Sequence, residues 1–515
     1  MTGSTRGSQL GGRAFRAAGW QSALRAATAV LQLAVGIVLA RLLPPEDFGL
    51  LGLALIITGL AALFSTLGIG PAIIQRPEVS TRHVRVSFTV SVLLGLAISA
   101  ALFVVAPLST LIFDNPQLPW ILRVVGLRFI VSGFGTTAGA LLRRRLQFKA
   151  VFWIGLSTYA TGYAATAITL AVLGFGVWSL VIGSLAQAVL ESVALVAVTR
   201  HSIKPLLSRP EMRELVGVGI GFSLQGILQY AASRGDNFVV GKVLGEGPLG
   251  LYTRAYALMD LPHQQAGAVV RQVLFPAFAE IQDQTRRVGR AYLLSVQVTT
   301  VVVAPLLAGM FVAAPHLITS VYGPAWVGSV APLQVLCAFG TLRALFPLGN
   351  SVVQALGRVY TVAAVSLVYA VLVIAGALYG VRYGLSGVAF AVGVALLVTF
   401  LAISRAALKL LQRTWTEFLE ALRAGVMLAT LVGAVAWAAR TALVGRGVGD
   451  LQITVILIVI CGLTLLAGMW TFGTRLGMHD TASFLAERLG TRIGRLESWL
   501  TRLGAPKRSN ASTPS

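Results

Sequence analysis

Seven arginines and three carboxylates stand inside stretches that are otherwise apolar enough to cross a membrane. They are Arg25, Arg123, Arg128, Arg234, Arg254, Arg271 and Arg343, with Glu191, Asp236 and Asp260. A charge at the bilayer centre costs about 2.5–3.5 kcal/mol on insertion scales, so such residues face a protein interior or a wet cavity and point to a function. Arg123 and Arg254 fall near span ends and are read as snorkelling to the interface. The chemistry open to the others is anion binding, because a guanidinium presents forked donors that fit phosphate and carboxylate.

Helical spacing groups these charges with polar side chains. Gln21, Arg25, Thr28 and Gln32 follow one another at spacings that share one face, and so do Gln225, Gln229, Ser233 and Asp236. Tyr230 and Arg234 lie on the adjoining stripe. Tyr256, Asp260, His263 and Arg271 line a face around Pro262, and Arg343, Asn350 and Gln354 line another. Arg234 and Asp236, two residues apart, point about 200° apart on a helix and cannot pair with each other. Asp236 is expected to pair across to the helix of Asp260, which leaves Arg234 for a ligand. Asp236 and Asp260 are the candidate ion-pair or coupling residues. The competing reading is that these charges only hold helices together.

Other chemistries find no support. Gly235 and Gly241-Lys242 suggest a phosphate-cradling loop, but five residues separate the glycines where four are needed, and Val243 stands where Ser or Thr is required. Cys337 and Cys461 lie in apolar runs, and the five histidines lack metal-ligand spacing. Neither a disulfide framework nor a metal site is expected, nor any cofactor. No nucleophile–base pair suggests an enzyme.

The elements that must position these residues are membrane helices. The chain of 515 residues is 56% hydrophobic and 11% charged, against about 25% charged in soluble domains. At roughly 20 apolar residues per crossing, the sequence predicts fourteen spans: 17–41, 48–72, 87–112, 119–142, 151–173, 176–199, 215–241, 249–279, 291–313, 329–355, 360–381, 384–408, 421–443 and 451–473. With both termini in the cytoplasm, the outer segments hold only Arg41, Lys242, Arg382, Arg440 and Arg446. Apart from the seven within spans, all other Lys and Arg fall inside, as the positive-inside rule requires. That accounts for the net charge of +23 without nucleic acid. After residue 474, the segment 484–503 has the pattern of a basic amphipathic helix suited to an anionic membrane surface or to another protein.

The chain also repeats itself. LARLLPPEDFGLL (39–51) matches VGKVLGEGPLGLY (240–252), residues 103–116 match 311–324, and residues 126–144 match 341–359. Spans 1–6 then correspond to spans 7–12 in parallel orientation, the arrangement of transporters whose halves rock around a central site. The expected fold is all-α and polytopic. It has a cytoplasmic segment 1–16, an N-lobe 17–199, a C-lobe 215–408, two extra helices in 421–473 and a basic tail 474–515.

At LARLLPPEDFGLLGLA (39–54) and ILQYAASRGDNFVVGKVLGEGPLGLYTRAYALMDLP (227–262) the chain resembles Wzx-type polysaccharide flippases of the multidrug/oligosaccharidyl-lipid/polysaccharide exporter superfamily, in its exopolysaccharide branch. The resemblance runs over residues 15 to 475. It implies two six-helix lobes around a central cavity in a bacterial inner-membrane protein. The implied substrate is a polyprenyl-pyrophosphate-linked oligosaccharide carried to the periplasmic leaflet, with a polysaccharide polymerase and glycosyltransferases as partners. On that reading Arg25, Arg128, Arg234, Arg271 and Arg343 bind the pyrophosphate, and Gln32, Gln229 and Tyr256 meet sugar hydroxyls. The rivals are a peptidoglycan-precursor flippase of the same superfamily and a non-transporting scaffold of a polysaccharide assembly complex.

Overall fold

The computed structural model describes residues 27–65, 69–76, 78–216, 220–280 and 285–473. Arg25, the segment 1–16 and the tail with its expected amphipathic helix lie outside these residues. Arg271 lies on described backbone, with its side chain outside the description.

Among the described residues the protein is helical, without strands. In chain order the helices are α1 (Ala27–Leu42), α2 (Pro45–Ser65), α3 (Ile69–Gln75), α4 (Thr81–Val105), α5 (Ser109–Ile112), α6 (Leu118–Arg144), α7 (Phe148–Thr158), α8 (Thr166–Val172), α9 (Val177–Thr199), α10 (Arg209–Val216), α11 (Ile220–Val243), α12 (Glu246–Glu280), α13 (Thr285–Val321), α14 (Val330–Ala355), α15 (Val359–Gly380), α16 (Gly384–Leu411), α17 (Trp415–Val444) and α18 (Asp450–Gly473). The all-α membrane architecture expected from the sequence is the one found.

Among the described residues, nine helical stretches are long and apolar enough to cross a membrane. One of them, Val359–Leu411, holds two helices parted at Gly384, whose φ of +69° breaks the ladder. The predicted spans missing from this set have physical reasons. α1 is described over 16 residues only. α7 and α8 are short because a π-helical turn, Tyr159–Ala165, separates them. α11 and α12 carry the polar stripes and charges that lower their hydropathy.

The chain forms two compact units. The first takes the described residues up to Leu258 with Val321–Leu336 and Val359–Thr399, and the second takes Met259–Ser320, Cys337–Arg358 and the described residues from Phe400 onward.

In the first unit the two copies of the repeated motif meet. A Cβ on Gly49 would stand 1.7 Å from the Glu246 carbonyl oxygen, and a Cβ on Gly250 would stand 1.9 Å from the Pro45 carbonyl oxygen. Gly49 and Gly250 occupy matched positions in 39–51 and 240–252, and so do Pro45 and Glu246. Each copy therefore lays its first helical turn, backbone on backbone, against the other, with the reciprocity of a twofold contact. The turn that delivers α12 to this crossing needs Gly245 at φ +91°. Beside it the fully buried Trp326 donates from Nε1 to the Ala40 carbonyl at 2.8 Å and meets the Phe48 ring edge-on at 5.3 Å.

Elsewhere in this unit, α10 is fastened to the loop before α4 and to the first turn of α4. Glu214 accepts from Arg76 at 2.5 Å and from His83 Nε2 at 3.2 Å. His83 Nδ1 accepts from the Ser80 backbone N–H, so the ring proton sits on Nε2. Glu211 pairs with Arg82 at 3.3 Å and accepts from Ser208. These bonds hold both carboxyls below their ordinary value of 4.5: for Glu211 the Ser208 hydroxyl is the largest cause, and for Glu214 it is His83, followed by Arg76. A depressed carboxylate contributes stability above the unfolded value and loses it as pH falls through the folded one. The clasp is therefore expected to hold at neutral pH and to open below about 4.5. Hydrogen exchange of residues 209–216, corrected for intrinsic rates and compared with α6, should rise only in that acidic range. Because the Glu214 carboxylate is half-exposed and the clasp lies outside the helix cores, the effect is local and leaves the fold intact.

The second unit is built on α13. Gly425 lets α17 approach until a Cβ there would stand 2.5 Å from the Thr300 carbonyl carbon. Val312, Ala436 and Leu457 pack where α13, α17 and α18 meet. A polar latch closes that end. Arg440 Nε donates to His316 Nε2 at 3.2 Å, so the imidazole proton is on Nδ1, which donates to Asp450 at 2.8 Å.

Candidate functional site

The first unit contains a cavity of about 370 Å³ between α2, α11 and α12. From α2 it receives Phe48, Leu51, Gly52, Leu55, Ile56 and Gly59. These recur at three or four residues and form one face. From α11 come Tyr230, Arg234 and Asn237, again one face, and from α12 come Thr253 and Arg254.

Each polar group is held in place. The Tyr230 hydroxyl crosses to α2 and donates to the Ile56 carbonyl at 2.8 Å, where Gly59 leaves it room; a Cβ on Gly59 would lie 2.2 Å from that oxygen. The Arg254 guanidinium lies 4.0 Å from the centre of the Phe48 ring. A cation over an aromatic face gains about 2 kcal/mol when desolvated. It reaches on to α1, where a Cβ on Gly36 would stand 3.3 Å from Nη1. Tyr159, Tyr163 and Tyr322 are its electrostatic neighbours. Among the described residues neither Arg234 nor Arg254 has a carboxylate partner. Among the described residues the buried Asn237 has no hydrogen-bond partner for its Oδ1. Two guanidiniums open on one cavity whose lining, among the described residues, includes no acid, and that arrangement attracts anions.

The residues expected from the sequence fall as follows. Arg234 lines the cavity, and Gln229 is exposed one residue before Tyr230. Asp236, 2% exposed, accepts from the Tyr252 hydroxyl at 3.0 Å and from the Asn237 N–H at 2.8 Å. One of its neighbours across on α12 is thus a phenol. Tyr256 meets Tyr252 edge-on at 5.5 Å. Gln32 and Arg128 are exposed on α1 and α6 and do not line this cavity. Arg123 packs between Phe103 and Trp120, at 4.6 and 4.7 Å from their centres. In the second unit Arg343 Nε donates to Asp260 at 3.0 Å.

That ion pair makes a prediction. Asp260→Asn and Arg343→Gln should each lower the melting temperature of the purified protein, and the double variant should lose no more than the worse single one. Both side chains are about a quarter exposed, so each loss falls short of the roughly 3–5 kcal/mol seen for fully buried pairs. Additive losses in a double-mutant cycle would mean that the two groups act separately.

Position along the span suggests a snorkelling role for Arg254, and the structure corrects this: Arg254 lines the cavity. A signal for it exists in the sequence. Arg254 follows Gly250 by four residues, one helical turn, and Gly250 is the repeat partner of Gly49, next to Phe48.

Comparison with known proteins places this geometry in context. A profile of the polysaccharide biosynthesis protein family matches residues 38–331, which include both the 39–54 and 227–262 motifs. The lipopolysaccharide biosynthesis protein WzxC of Escherichia coli (strain K12) is 28% identical over 328 residues, 62% of this chain and 66% of that protein. The succinoglycan biosynthesis transport protein ExoT of Rhizobium meliloti (strain 1021) is 30% identical over 313 residues, 60% of this chain and 63% of that one. The chain thus spans just under two thirds of the length of these relatives. Among solved structures, the lipid II flippase MurJ in its inward closed conformation superposes with a TM-score of 0.70 at 15% identity, covering 88% of this chain and 99% of its own. An inward-facing multidrug resistance transporter of the MATE family, in the MOP superfamily, gives 0.59 at 19% identity over 74% and 94%. Identities this low speak for the fold alone. The resemblance to Wzx-type flippases read from the two motifs holds, and with more than half of its length matched the chain belongs to the polysaccharide biosynthesis protein family.

Proposed function

We propose that the protein carries a polyprenyl-pyrophosphate-linked oligosaccharide from the cytoplasmic to the periplasmic leaflet of a bacterial inner membrane, and that Arg234 and Arg254 hold its pyrophosphate. The observation that carries this reading is the pair of arginines, without carboxylate partners among the described residues, that lines one cavity. A pyrophosphate is a dense anion, and two planar donor forks suit it. The family match and the likeness to WzxC, a lipopolysaccharide biosynthesis protein, and ExoT, a succinoglycan biosynthesis transport protein, support the substrate class.

Fourteen crossings in two parallel six-span lobes, moving by alternating access, complete the proposal. Arg25, Arg128, Arg271 and Arg343 are further phosphate contacts along the path, with Gln32, Gln229 and Tyr256 for sugar hydroxyls. Asp236 and Asp260 are the coupling candidates. Both termini face the cytoplasm, and a polymerase and glycosyltransferases act before or after the transport step. The protein is a transporter and not an enzyme. A peptidoglycan-precursor flippase of the same superfamily is the second reading, since its substrate would suit the same cationic cavity.

The test is complementation. Cells lacking their own polysaccharide flippase should regain surface glycan on expression of this chain, and cells lacking their peptidoglycan-precursor flippase should not regain growth. Rescue of the second strain only would replace the first reading by the second. Rescue of neither, with the protein present in the membrane, would count against both.

A further inference from the structure

The walls of the cavity differ in kind, and the division follows the repeat. Among the described residues that line it, the first copy, through α2, contributes only apolar side chains and glycine, while every polar or charged group comes from the second copy, through α11 and α12. At matched positions Leu33 stands where the second copy has Arg234, and Leu53 where it has Arg254. A wholly hydrophilic ligand does not suit such a chamber. Sugar hydroxyls pressed against Leu51, Leu55 and Ile56 would lose water without gaining partners. The size decides further: about 370 Å³ lies near the lower end of the roughly 300–1,000 Å³ of small-molecule pockets. It takes a fragment of a lipid-linked oligosaccharide and not the whole.

We infer that the cavity holds the junction of an isoprenoid pyrophosphate, with the anion on Arg234 and Arg254 and the first isoprene unit against Leu51, Leu55 and Ile56 of α2. The inference rests on the pyrophosphate assignment proposed above and adds to it. The lipid end of the carrier enters the protein and is recognised there, and the rest of the chain stays in the bilayer. The two copies of the repeat divide the substrate between them, the first taking hydrocarbon and the second taking charge.

The test uses the purified full chain in detergent and two water-soluble probes of equal charge, methyl diphosphate and dimethylallyl diphosphate. They differ by one isoprene unit in place of a methyl group and do not enter micelles as a long lipid does. Dimethylallyl diphosphate should bind at least about tenfold tighter, since each buried methylene contributes severalfold. Leu55→Ser should lower dimethylallyl binding by more than methyl binding, so that the ratio falls toward one, and Ile56→Ser gives an independent second variant. Arg254→Gln should weaken both probes. Equal wild-type affinity for the two probes overturns the isoprene assignment and leaves the pyrophosphate assignment standing, provided binding still depends on Arg254. Binding of neither probe overturns both.

Discussion

Alanine at Gly49 removes the folded protein from the membrane, and alanine at Gly250 does the same. The added methyl group would stand 1.7 Å from the Glu246 carbonyl oxygen in the first case and 1.9 Å from the Pro45 carbonyl oxygen in the second. Both obstacles are main chain at a helix start, so no side chain can swing away. Overpacking usually costs about 1–3 kcal/mol, and here relief requires moving one helix off another, so each loss should exceed that range. Against a total stability of about 5–15 kcal/mol, such a loss is decisive. The controls are Gly155 and Gly462, where an added methyl group would meet nothing within 4 Å. Alanine there should be neutral or should add up to about 1 kcal/mol through helix propensity. Yield and melting temperature of a fluorescent fusion in detergent measure the effect. Wild-type behaviour of Gly49→Ala or Gly250→Ala would show that the helices do not cross here backbone to backbone.

Arg254→Gln cuts glycan export about ten- to a hundredfold at equal membrane level. A hydrogen bond to a charged group contributes about 1.5–3 kcal/mol, and each 1.4 kcal/mol is a factor of ten. Arg254→Lys should recover only part of the loss, because lysine keeps the charge and loses the fork that sits on Phe48. Arg254→Glu should be worse than Gln, since it repels the substrate. Arg234→Gln should fall in the same range, and the double variant should lose less than the product of the singles, because both residues serve one anion. Export in cells lacking their own flippase, normalised to membrane-inserted protein, is the measurement. Unchanged export by both single variants would make these arginines structural and would withdraw the pyrophosphate assignment.

Much of this arrangement is legible in the residues, and the rest is hidden for definite reasons. Apolar runs near 20 residues and turn signals such as Pro44-Pro45-Glu46-Asp47 mark where helices run, because the bilayer allows few alternatives. The match of 39–51 to 240–252 is visible as a repeat. That Gly49 and Gly250 then touch each other's chain is not, because it depends on how segments two hundred residues apart cross. Arg234 stands out because it lies within a span, two residues from Asp236. The place of Arg254 along a span suggests the interface, when what matters is the Phe48 ring opposite, which only the tertiary contact supplies. Asp260 and Arg343 are conspicuous charges in the sequence, but that they pair at 3.0 Å is set by the packing of α12 on α14.

The π turn at Tyr159–Ala165 has a consequence for how this chain tolerates changes of length. A turn bonded to the fifth residue holds more residues than an α turn, so it is the trace that a one-residue insertion leaves in a helix. Deleting Ala160 would let residues 148–172 run as a single α-helix, with better bonding geometry. Because the wide turn already absorbs the extra residue, the helix beyond it should keep its facing after the deletion. Ala167, whose Cβ would lie 2.9 Å from a Cβ added at Gly183 of α9, would still face that helix. Loss of one residue is thus tolerated at this point, whereas in a regular helix it turns everything beyond it by about 100°.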